Sequence, residues 1–353
     1  MKAAIWYARK DVRIEEVPEP PSPCVGEVKI KVHWCGICGS DLHEYLAGPI
    51  FIPVEEPHPL TGKKAPVIIG HEFSGDIVEI GENVTDLKVG DRVTASASRS
   101  CGKCFWCKRG ETVICEINAG TGLHADGAFA EYVNIPAYDV YKLPSELSYE
   151  EAALAEPLAV GVHAMKKGKI QPGDNVVIVG AGTIGLATLQ AARASGAKKI
   201  IVVEVAKARK EYAKNFGATL VFDPTEVDVP AEVLKATDGV GADLGFECVG
   251  NQETALLVLD SVRRGGRMVV VGIFEKPVKI NLNSCVFFEK EIIGSLGYND
   301  EFATVLSYLV DGRLQAKPMI TKKIALNDLI DKGFSELIEN KNQNIKILVS
   351  PMS

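Results

Sequence analysis

Short stretches of alternating apolar and polar residues dominate the first 155 positions. Val28, Ile30 and Val32 fall on one side of such a stretch while Lys29 and Lys31 fall on the other, which is the period of a strand with one buried face. Three further short strands are predicted, at residues 77–80, 92–94 and 129–133. Glycine and proline separate these segments. The pattern therefore predicts an irregular β-rich domain.

From about residue 157 to 296 the pattern changes to apolar strands that alternate with helical spans. The predicted strands are residues 176–179, 199–204, 219–222, 243–248, 267–273 and 291–296. The predicted helices include residues 183–194, 207–216 and 252–262. Strands that are apolar on both faces and alternate with helices indicate a doubly wound parallel sheet, so the fold class is α/β.

The last segment, residues 297–353, contains a predicted helix near residues 301–310 and an apolar strand at residues 346–349. It is too short to bury a core of its own. We therefore predict two domains, which agrees with a length of 353 residues at roughly 150 residues per domain. The predicted boundaries assign residues 1–156 with 297–353 to the first domain and residues 157–296 to the second.

A glycine-rich turn lies where the first strand of the second domain meets a helix. Gly180, Gly182 and Gly185 have the spacing G-x-G-x-x-G, which allows a tight turn, close approach of backbone N–H groups to a pyrophosphate, and close packing of helix on sheet. Glu204 ends the next strand, where a carboxylate is expected to bind the ribose hydroxyls and to repel a 2′-phosphate. We therefore predict NAD as cofactor, bound by Gly180, Gly182, Thr183, Ile184, Gly185, Glu204 and Arg209.

Four cysteines lie close together in the first domain with the spacing C-x2-C-x2-C-x7-C, at Cys101, Cys104, Cys107 and Cys115. Four thiolates complete a tetrahedral zinc site without an open position, which is typical of a structural site. Disulfides and an iron–sulfur cluster are the alternatives. The ferredoxin pattern has a shorter last gap followed by proline, whereas Glu116 follows here. The spacing therefore favours structural zinc.

Further candidate metal ligands are dispersed along the chain: Cys38, the pair His71 and Glu72, and Glu156. Their spacing alone does not bring them together. Cys35 and Cys38 form a C-x2-C pair that is also compatible with a redox site, and His71 is also compatible with a buried, hydrogen-bonded histidine. From the residues alone, a second zinc site and these alternatives stay open.

Composition narrows the functional classes. The chain has 39 basic and 46 acidic residues, a formal net charge of −7, and no basic stripe, so we do not expect a nucleic-acid partner. No stretch approaches the roughly 20 apolar residues that cross a bilayer, and the first eleven residues are too charged for a signal peptide. A cytoplasmic protein without a membrane partner is expected. In such a compartment nine cysteines are more consistent with metal ligands and buried thiols than with disulfides.

Together these motifs, in this order, resemble the zinc-dependent medium-chain dehydrogenases over essentially the whole chain. The matching elements are residues 36–41, Gly70-His71-Glu72, the four cysteines, Glu156-Pro157 and the glycine-rich turn. The resemblance implies a GroES-like catalytic domain and a Rossmann domain. It also implies two zinc ions per chain, one structural and one catalytic, the latter held by Cys38, His71 and Glu156.

The resemblance also implies roles for residues around the catalytic zinc and the cofactor. Glu72 adjoins the metal and is expected to enter its coordination shell transiently, while Asp41 orients a ligand histidine. Ser40 and His43 match the positions of the family's proton relay. The residues expected near the nicotinamide ribose and carboxamide are Gly250, Gly272, Ile273 and Phe274.

Within the family, Glu156-Pro157-Leu158 is similar to the polyol branch, and residues 48–53 and 58–62 are similar to members that oxidise small diols. The implied activity is reversible hydride transfer between NAD and a secondary alcohol, with a vicinal diol such as 2,3-butanediol and its hydroxyketone acetoin as the expected pair. Sorbitol, xylitol and threonine are alternative substrates, and a non-catalytic zinc- and nucleotide-binding protein is an alternative function. A homodimer or homotetramer is expected by analogy.

Overall fold

The computed structural model describes residues 1–340 and 342–352. The chain forms two compact units. Unit 1 comprises Met1–Glu156, Phe302–Val310 and Ala316–Ser353, and unit 2 comprises Pro157–Glu301 and Asp311–Gln315. The sequence-based boundaries place residues 297–301 and 311–315 in the first domain, whereas the contacts of these residues lie mostly within unit 2.

The first 156 residues form mostly short strands, as the alternating pattern predicts. The strands are β1 (Lys2–Ala8), β2 (Asp11–Glu16), β3 (Glu27–Gly36), β4 (Val67–Ile68), β5 (Glu72–Ile80), β6 (Arg92–Ala95), β7 (Ser98–Arg99), β8 (Ala119–Gly120), β9 (Tyr132–Pro136) and β10 (Val140–Lys142). The helices that begin in this part are α1 (Gly39–Ala47), α2 (Tyr149–Ala153) and α3 (Ala155–Gly168). Val28, Ile30 and Val32 are fully buried, as predicted. The strand predicted at residues 129–133 begins later, at Tyr132.

Unit 2 contains the predicted alternation of strands and helices. Its elements are β11 (Asn175–Val179), α4 (Thr183–Ala194), β12 (Lys199–Val203), α5 (Lys207–Asn215), β13 (Leu220–Phe222), α6 (Val229–Ala236), β14 (Ala242–Glu247), α7 (Gln252–Ser261), β15 (Val262–Val270), α8 (Asn283–Phe288) and β16 (Glu291–Gly294). The six strands pair in the order β13-β12-β11-β14-β15-β16, and every pairing is parallel. The α/β fold class is therefore confirmed. Residues such as Val177, Ile201 and Val258 form its core.

The final segment completes the β-rich unit. It contains α9 (Phe302–Val310), β17 (Ile320–Ala325), α10 (Ser335–Glu339) and β18 (Lys346–Ser350). β18 inserts between β17 and β3, in a sheet with the order β10-β6-β5-β3-β18-β17 and with β9 also paired to β3. β1, β2 and β4 form a smaller sheet. Trp6, Phe73 and Phe129 are among the largest buried side chains of this core. No helix in the described part of the chain has the length and apolar character needed to cross a membrane.

Candidate metal centres and nucleotide site

The antiparallel pairing of β3 with β5 brings the first group of metal-ligand residues together. Gly36, at the end of β3, lies opposite Glu72, at the start of β5. Cys38 follows β3 and precedes α1, and His71 immediately precedes β5. One ligand atom each of Cys38, His71 and Glu72 lies within 4.8 Å of the others. A thiolate, an imidazole and a carboxylate at this separation form a donor set that zinc accepts.

Polar side chains of α1 lie near both ring nitrogens of His71. The Ser40 hydroxyl lies 3.4 Å from His71 Nε2. Asp41 is fully buried, and one of its oxygens accepts a hydrogen bond of 2.9 Å from the backbone N–H of Cys38. Its other oxygen lies 3.8 Å from His71 Nδ1, and neither of these two atoms has a hydrogen-bond partner among the described residues. Such buried polar atoms, beside a thiol and a carboxylate, are consistent with a metal site.

The negatively charged side chains around His71 favour a positive charge at this position. Burial alone lowers the pKa of His71, but the negative charges of Asp41 and Cys38 raise it well above its ordinary value. Glu156 acts in the same direction. Because a metal ligand must be neutral imidazole, a zinc ion held by His71 would displace a proton.

Glu156 occupies the first turn of α3 and is buried. It is not part of the compact ligand group formed by Cys38, His71 and Glu72. Its role as a direct zinc ligand therefore stays a prediction. The structure instead brings Glu72, which was expected to approach the metal only transiently, into the ligand group.

Lys346 is a site residue that the sequence did not indicate. Its Nζ lies 2.7 Å and 2.6 Å from the two carboxylate oxygens of Glu72, and both side chains are almost completely buried. Lys346 is the first residue of an apolar C-terminal strand, and nothing in the local pattern connects it with Glu72. Gly36 is also needed here, because a Cβ atom at that position would lie 2.2 Å from Glu72 Oε2.

The four cysteines form a second, local centre. The Sγ atoms of Cys101 and Cys107 are 3.9 Å apart, as are those of Cys104 and Cys115, and all four lie within 4.8 Å of one another. Zn–S bonds of about 2.3 Å in a tetrahedron place sulfurs about 3.8 Å apart, whereas a disulfide needs about 2.05 Å. The backbone N–H of Cys107 donates to Cys104 Sγ and is the main cause that lowers the pKa of Cys104 to about 6. The sulfur geometry fits zinc.

In unit 2 the glycine-rich turn has the backbone that the fingerprint requires. Gly180 has a φ of +98°, in the left-handed region. A Cβ atom on Gly185 would lie 1.9 Å from the Gly180 carbonyl oxygen, so only glycine permits this packing of α4 against the turn. Gly182 precedes the first helical residues, Thr183 and Ile184, so the free N–H groups of α4 begin at this turn.

Glu204 follows β12 and its carboxylate is bound to the backbone. One oxygen accepts a hydrogen bond of 2.9 Å from the N–H of Ala181, and the other accepts bonds of 2.8 Å and 2.9 Å from Val205 and Ala206. Arg209 Nη1 lies 3.7 Å from the position of a Cβ atom on Gly182. Both Glu204 and Arg209 therefore border the turn that the sequence predicts to bind the pyrophosphate and ribose.

The residues predicted near the nicotinamide follow β14 and β15. A Cβ atom on Gly250 would lie 2.2 Å from the Ile273 carbonyl oxygen, and one on Gly272 would lie 2.6 Å from Gly250 N. Ile273 is half exposed, and Phe274 is partly buried. Glu247, which the sequence analysis missed, is fully buried and accepts hydrogen bonds from the N–H groups of Val249 and Gly250, both at 2.9 Å. Its position as the last residue of an apolar strand is the signal that could have identified it.

A second missed carboxylate organises the segment after α1. Glu44 is fully buried and accepts hydrogen bonds from the backbone N–H groups of Ile50, Phe51 and Ile52. Farther along, the Thr61 hydroxyl donates to the backbone carbonyl of His124. These contacts fix both ends of residues 48–62, the segment that is similar to diol-oxidising dehydrogenases.

Comparison with known proteins gives consistent matches along the chain. A family described as "alcohol dehydrogenase GroES-like domain" matches residues 25–145, and one described as "zinc-binding dehydrogenase" matches residues 183–311. The (R,R)-butanediol dehydrogenase of Bacillus subtilis is 44% identical, with 99% of this chain and 100% of the relative covered. The sorbitol dehydrogenase of Bacillus subtilis is 36% identical, with coverages of 99% and 97%. A crystal structure of 2R,3R-butanediol dehydrogenase from Bacillus subtilis matches with a TM-score of 0.93 and covers 99% of both chains.

Proposed function

Since the chain belongs to the zinc-dependent alcohol dehydrogenase family and uses zinc and NAD, we propose that it oxidises 2,3-butanediol reversibly to acetoin. The observation that carries the alcohol chemistry is the group formed by Cys38, His71 and Glu72, with the Ser40 hydroxyl 3.4 Å from His71. The choice of a small diol rests on the higher identity to butanediol dehydrogenase, 44%, than to sorbitol dehydrogenase, 36%.

We assign the catalytic zinc to Cys38, His71 and a carboxylate. Glu72 is favoured as that carboxylate by its place in the ligand group, and Glu156 is retained as the ligand predicted from the sequence. Bound zinc supplies a Lewis acid that polarises the alcohol oxygen, and NAD supplies the hydride acceptor. Asp41 orients His71 from the side of Nδ1, at 3.8 Å.

Ser40 and His43 are proposed to move the proton that the alcohol loses. The Ser40 hydroxyl lies next to the ligand group. Its Oγ would accept the proton of the alcohol while the hydroxyl gives up its own proton toward His43. His43 lies three residues later in α1, so both side chains are on the same face of the helix. His43 is partly exposed and can pass the proton to solvent.

NAD is proposed to bind at the carboxyl ends of the parallel strands in unit 2. Gly180, Gly182 and the start of α4 would hold the pyrophosphate, and Glu204 with Arg209 would hold the adenosine ribose. Gly250, Gly272, Ile273 and Phe274 would border the nicotinamide half of the cofactor. The second zinc, at Cys101, Cys104, Cys107 and Cys115, is proposed to be structural, because four thiolates leave no position for a substrate.

A homodimer is proposed from the exposed end of the parallel sheet. β16 is an edge strand. The preceding helix α8 and the second residue after β16 expose large apolar side chains: Val286 (70%), Phe287 (74%) and Leu296 (59%). An unpaired edge bordered by apolar groups is a ready site for pairing with a second copy. Light scattering on the purified protein tests this proposal, and a Phe287→Glu variant is expected to be monomeric. The cytoplasmic location and the lack of nucleic-acid or membrane partners stay predictions.

A substrate panel tests the proposed activity. Initial rates are measured with NAD and 2,3-butanediol, sorbitol, xylitol or L-threonine, and in reverse with NADH and acetoin. We expect kcat/KM for butanediol to exceed that for each alternative substrate by about 10-fold or more, because a site that fits a small diol discriminates by roughly 1–3 kcal/mol for each extra group. A higher kcat/KM for sorbitol or threonine would refute the diol assignment but not the chemistry.

Metal analysis tests the rival function, a non-catalytic zinc- and nucleotide-binding protein. Two zinc ions per chain are expected for the enzyme, whereas the rival predicts one, in the four-cysteine centre. Cys38→Ser and Cys107→Ser distinguish the centres, because each variant is expected to lose zinc from its own site only.

A further inference from the structure

Every donor of the Lys346 ammonium group is used within the buried core of unit 1. Two hydrogen bonds, of 2.7 Å and 2.6 Å, go to the two carboxylate oxygens of Glu72, and a third, of 2.8 Å, goes to the Ile37 carbonyl oxygen. An ammonium group has three N–H donors, so each donor of Lys346 has its own acceptor. The Lys346 side chain is 2% exposed and that of Glu72 is 1% exposed. The pair is therefore fixed in position and shielded from water.

The same Glu72 carboxylate also belongs to the metal-ligand group. One of its oxygens lies within 4.8 Å of ligand atoms of Cys38 and His71. Glu72 thus stands between two positive centres, the ammonium group of Lys346 and the proposed zinc. Because Gly36 packs directly against Glu72 Oε2, the carboxylate has little freedom to turn away from both.

We propose that Lys346 is a positioning residue that limits how strongly the Glu72 carboxylate binds the catalytic zinc. This inference rests on the proposed zinc site at Cys38, His71 and Glu72. Hydrogen bonds from Lys346 draw negative charge from both oxygens of Glu72, so the carboxylate holds zinc loosely and leaves room for an alcohol oxygen. Without the ammonium group the zinc becomes the partner of a buried carboxylate, and Glu72 binds it more tightly.

A purely structural ion pair makes a different prediction. If Lys346 only neutralises Glu72 within the core, its removal destabilises the site and zinc is released faster or at an unchanged rate. The proposal instead requires slower release, and requires that this effect depend on Glu72. The direction of the change and its dependence on Glu72 therefore separate the two roles.

The test measures how fast zinc passes from the purified holoenzyme to a coloured chelator at neutral pH. In Lys346→Met we expect the release of the catalytic zinc to slow by about 10-fold or more. This is the lower end of the size of outer-shell effects on metal binding, but its direction is reversed because Lys346 competes with the metal for Glu72. In a Glu72→Gln background the same change is expected to alter the rate by less than about 3-fold. The separate variant Lys346→Arg, which retains the positive charge, is expected to release zinc at the wild-type rate. Lys323→Met, at an exposed ion pair on β17, is the matched control and leaves the rate unchanged.

Cobalt substitution gives a second readout. With Co²⁺ in the catalytic site, Lys346→Met is expected to change the visible absorption bands, because a fixed Glu72 ligand alters the coordination. Unchanged or faster zinc release in Lys346→Met, or an equal effect in the Glu72→Gln background, would overturn the proposal.

The neutral double variant Glu72→Gln/Lys346→Met keeps the proposal testable if a single variant fails to fold, since neutral groups often replace a buried ion pair without loss of stability. It is expected to release zinc about 10-fold faster than the wild type because the carboxylate is gone, and a wild-type rate would refute the inference. A wild-type protein with only one zinc per chain would instead refute the proposed catalytic site.

Discussion

Glu204 offers the most direct test of cofactor choice, provided that the substitution respects its contacts. Its two oxygens accept hydrogen bonds from the backbone N–H groups of Ala181, Val205 and Ala206, at 2.8–2.9 Å. Glu204→Ala leaves these donors without an acceptor, at a cost of about 1–3 kcal/mol for each buried donor. It therefore damages the turn as well as the cofactor contact. Glu204→Gln keeps one oxygen acceptor and a similar volume while it removes the charge.

The magnitude follows from two effects that act on the cofactor ratio in the same direction. Charge-assisted hydrogen bonds to the ribose contribute about 1.5–3 kcal/mol, so their loss lowers kcat/KM for NAD by about 10- to 100-fold. Two unit charges about 4 Å apart repel by about 4 kcal/mol at an effective dielectric constant of about 20. Removing the carboxylate relieves part of that repulsion for a 2′-phosphate. We expect the ratio of kcat/KM for NAD to that for NADP to fall by about 100-fold or more.

Initial-rate measurements with both cofactors at saturating diol provide the assay, and thermal melting verifies that the variant is folded. Glu211→Gln is the matched control, because it removes the same charge from an exposed residue of α5 whose partner is Lys214. Its cofactor ratio is expected to equal that of the wild type. A folded Glu204→Gln enzyme with a cofactor ratio within about 3-fold of the wild type would refute the reasoning, since repulsion and hydrogen bonding must both then be negligible.

Three further predictions follow from the structure. Ser40→Ala is expected to lower kcat by about 100-fold or more while zinc content and the KM for NAD stay unchanged; a kcat near the wild-type value would exclude the proton relay. Cys107→Ser is expected to lower the zinc content from two ions to one and to lower the melting temperature, whereas Cys24→Ser, at an exposed free thiol, changes neither. Asp139 is buried, and burial raises its pKa to about 8 even though the positive charge of Arg99 lowers it. The folded state therefore holds a proton that the unfolded state loses at about pH 4, so stability falls as pH rises from about 4 to 8. At low pH, Asp139→Asn is expected to have the same melting temperature as the wild type, whereas above pH 8 its melting temperature is expected to be about 3 °C or more higher. A difference in melting temperature that does not change with pH would contradict this assignment.

Local patterns in the sequence were sufficient for much of the fold. The helix predicted at residues 183–194 matches α4, and the six strands predicted in residues 157–296 all form. Their apolar runs are continuous because both faces of a parallel sheet are buried. The boundaries shift where tertiary contacts extend a strand, as in β15, which begins at Val262 rather than at residue 267.

The buried carboxylates show what local patterns could not supply. Glu44, Glu72 and Glu247 are all fully buried, although an isolated glutamate in a sequence is usually exposed. Glu44 and Glu247 bind backbone N–H groups that follow within eight residues, so a careful search for capping acceptors could have found them. Glu72 pairs with Lys346, which is 274 residues away, and no local rule connects them.

The sequence by itself determined the two centres whose residues are neighbours along the chain. The four cysteines span 101–115 and the glycine-rich turn spans 180–185, so short-range geometry alone brings their groups together. Only the tertiary structure decided the group of Cys38, His71, Glu72 and Lys346. These residues meet because β3 pairs with β5 on one side and with β18 on the other, and strand partners are selected by burial of the whole sheet rather than by the residues that later bind the metal.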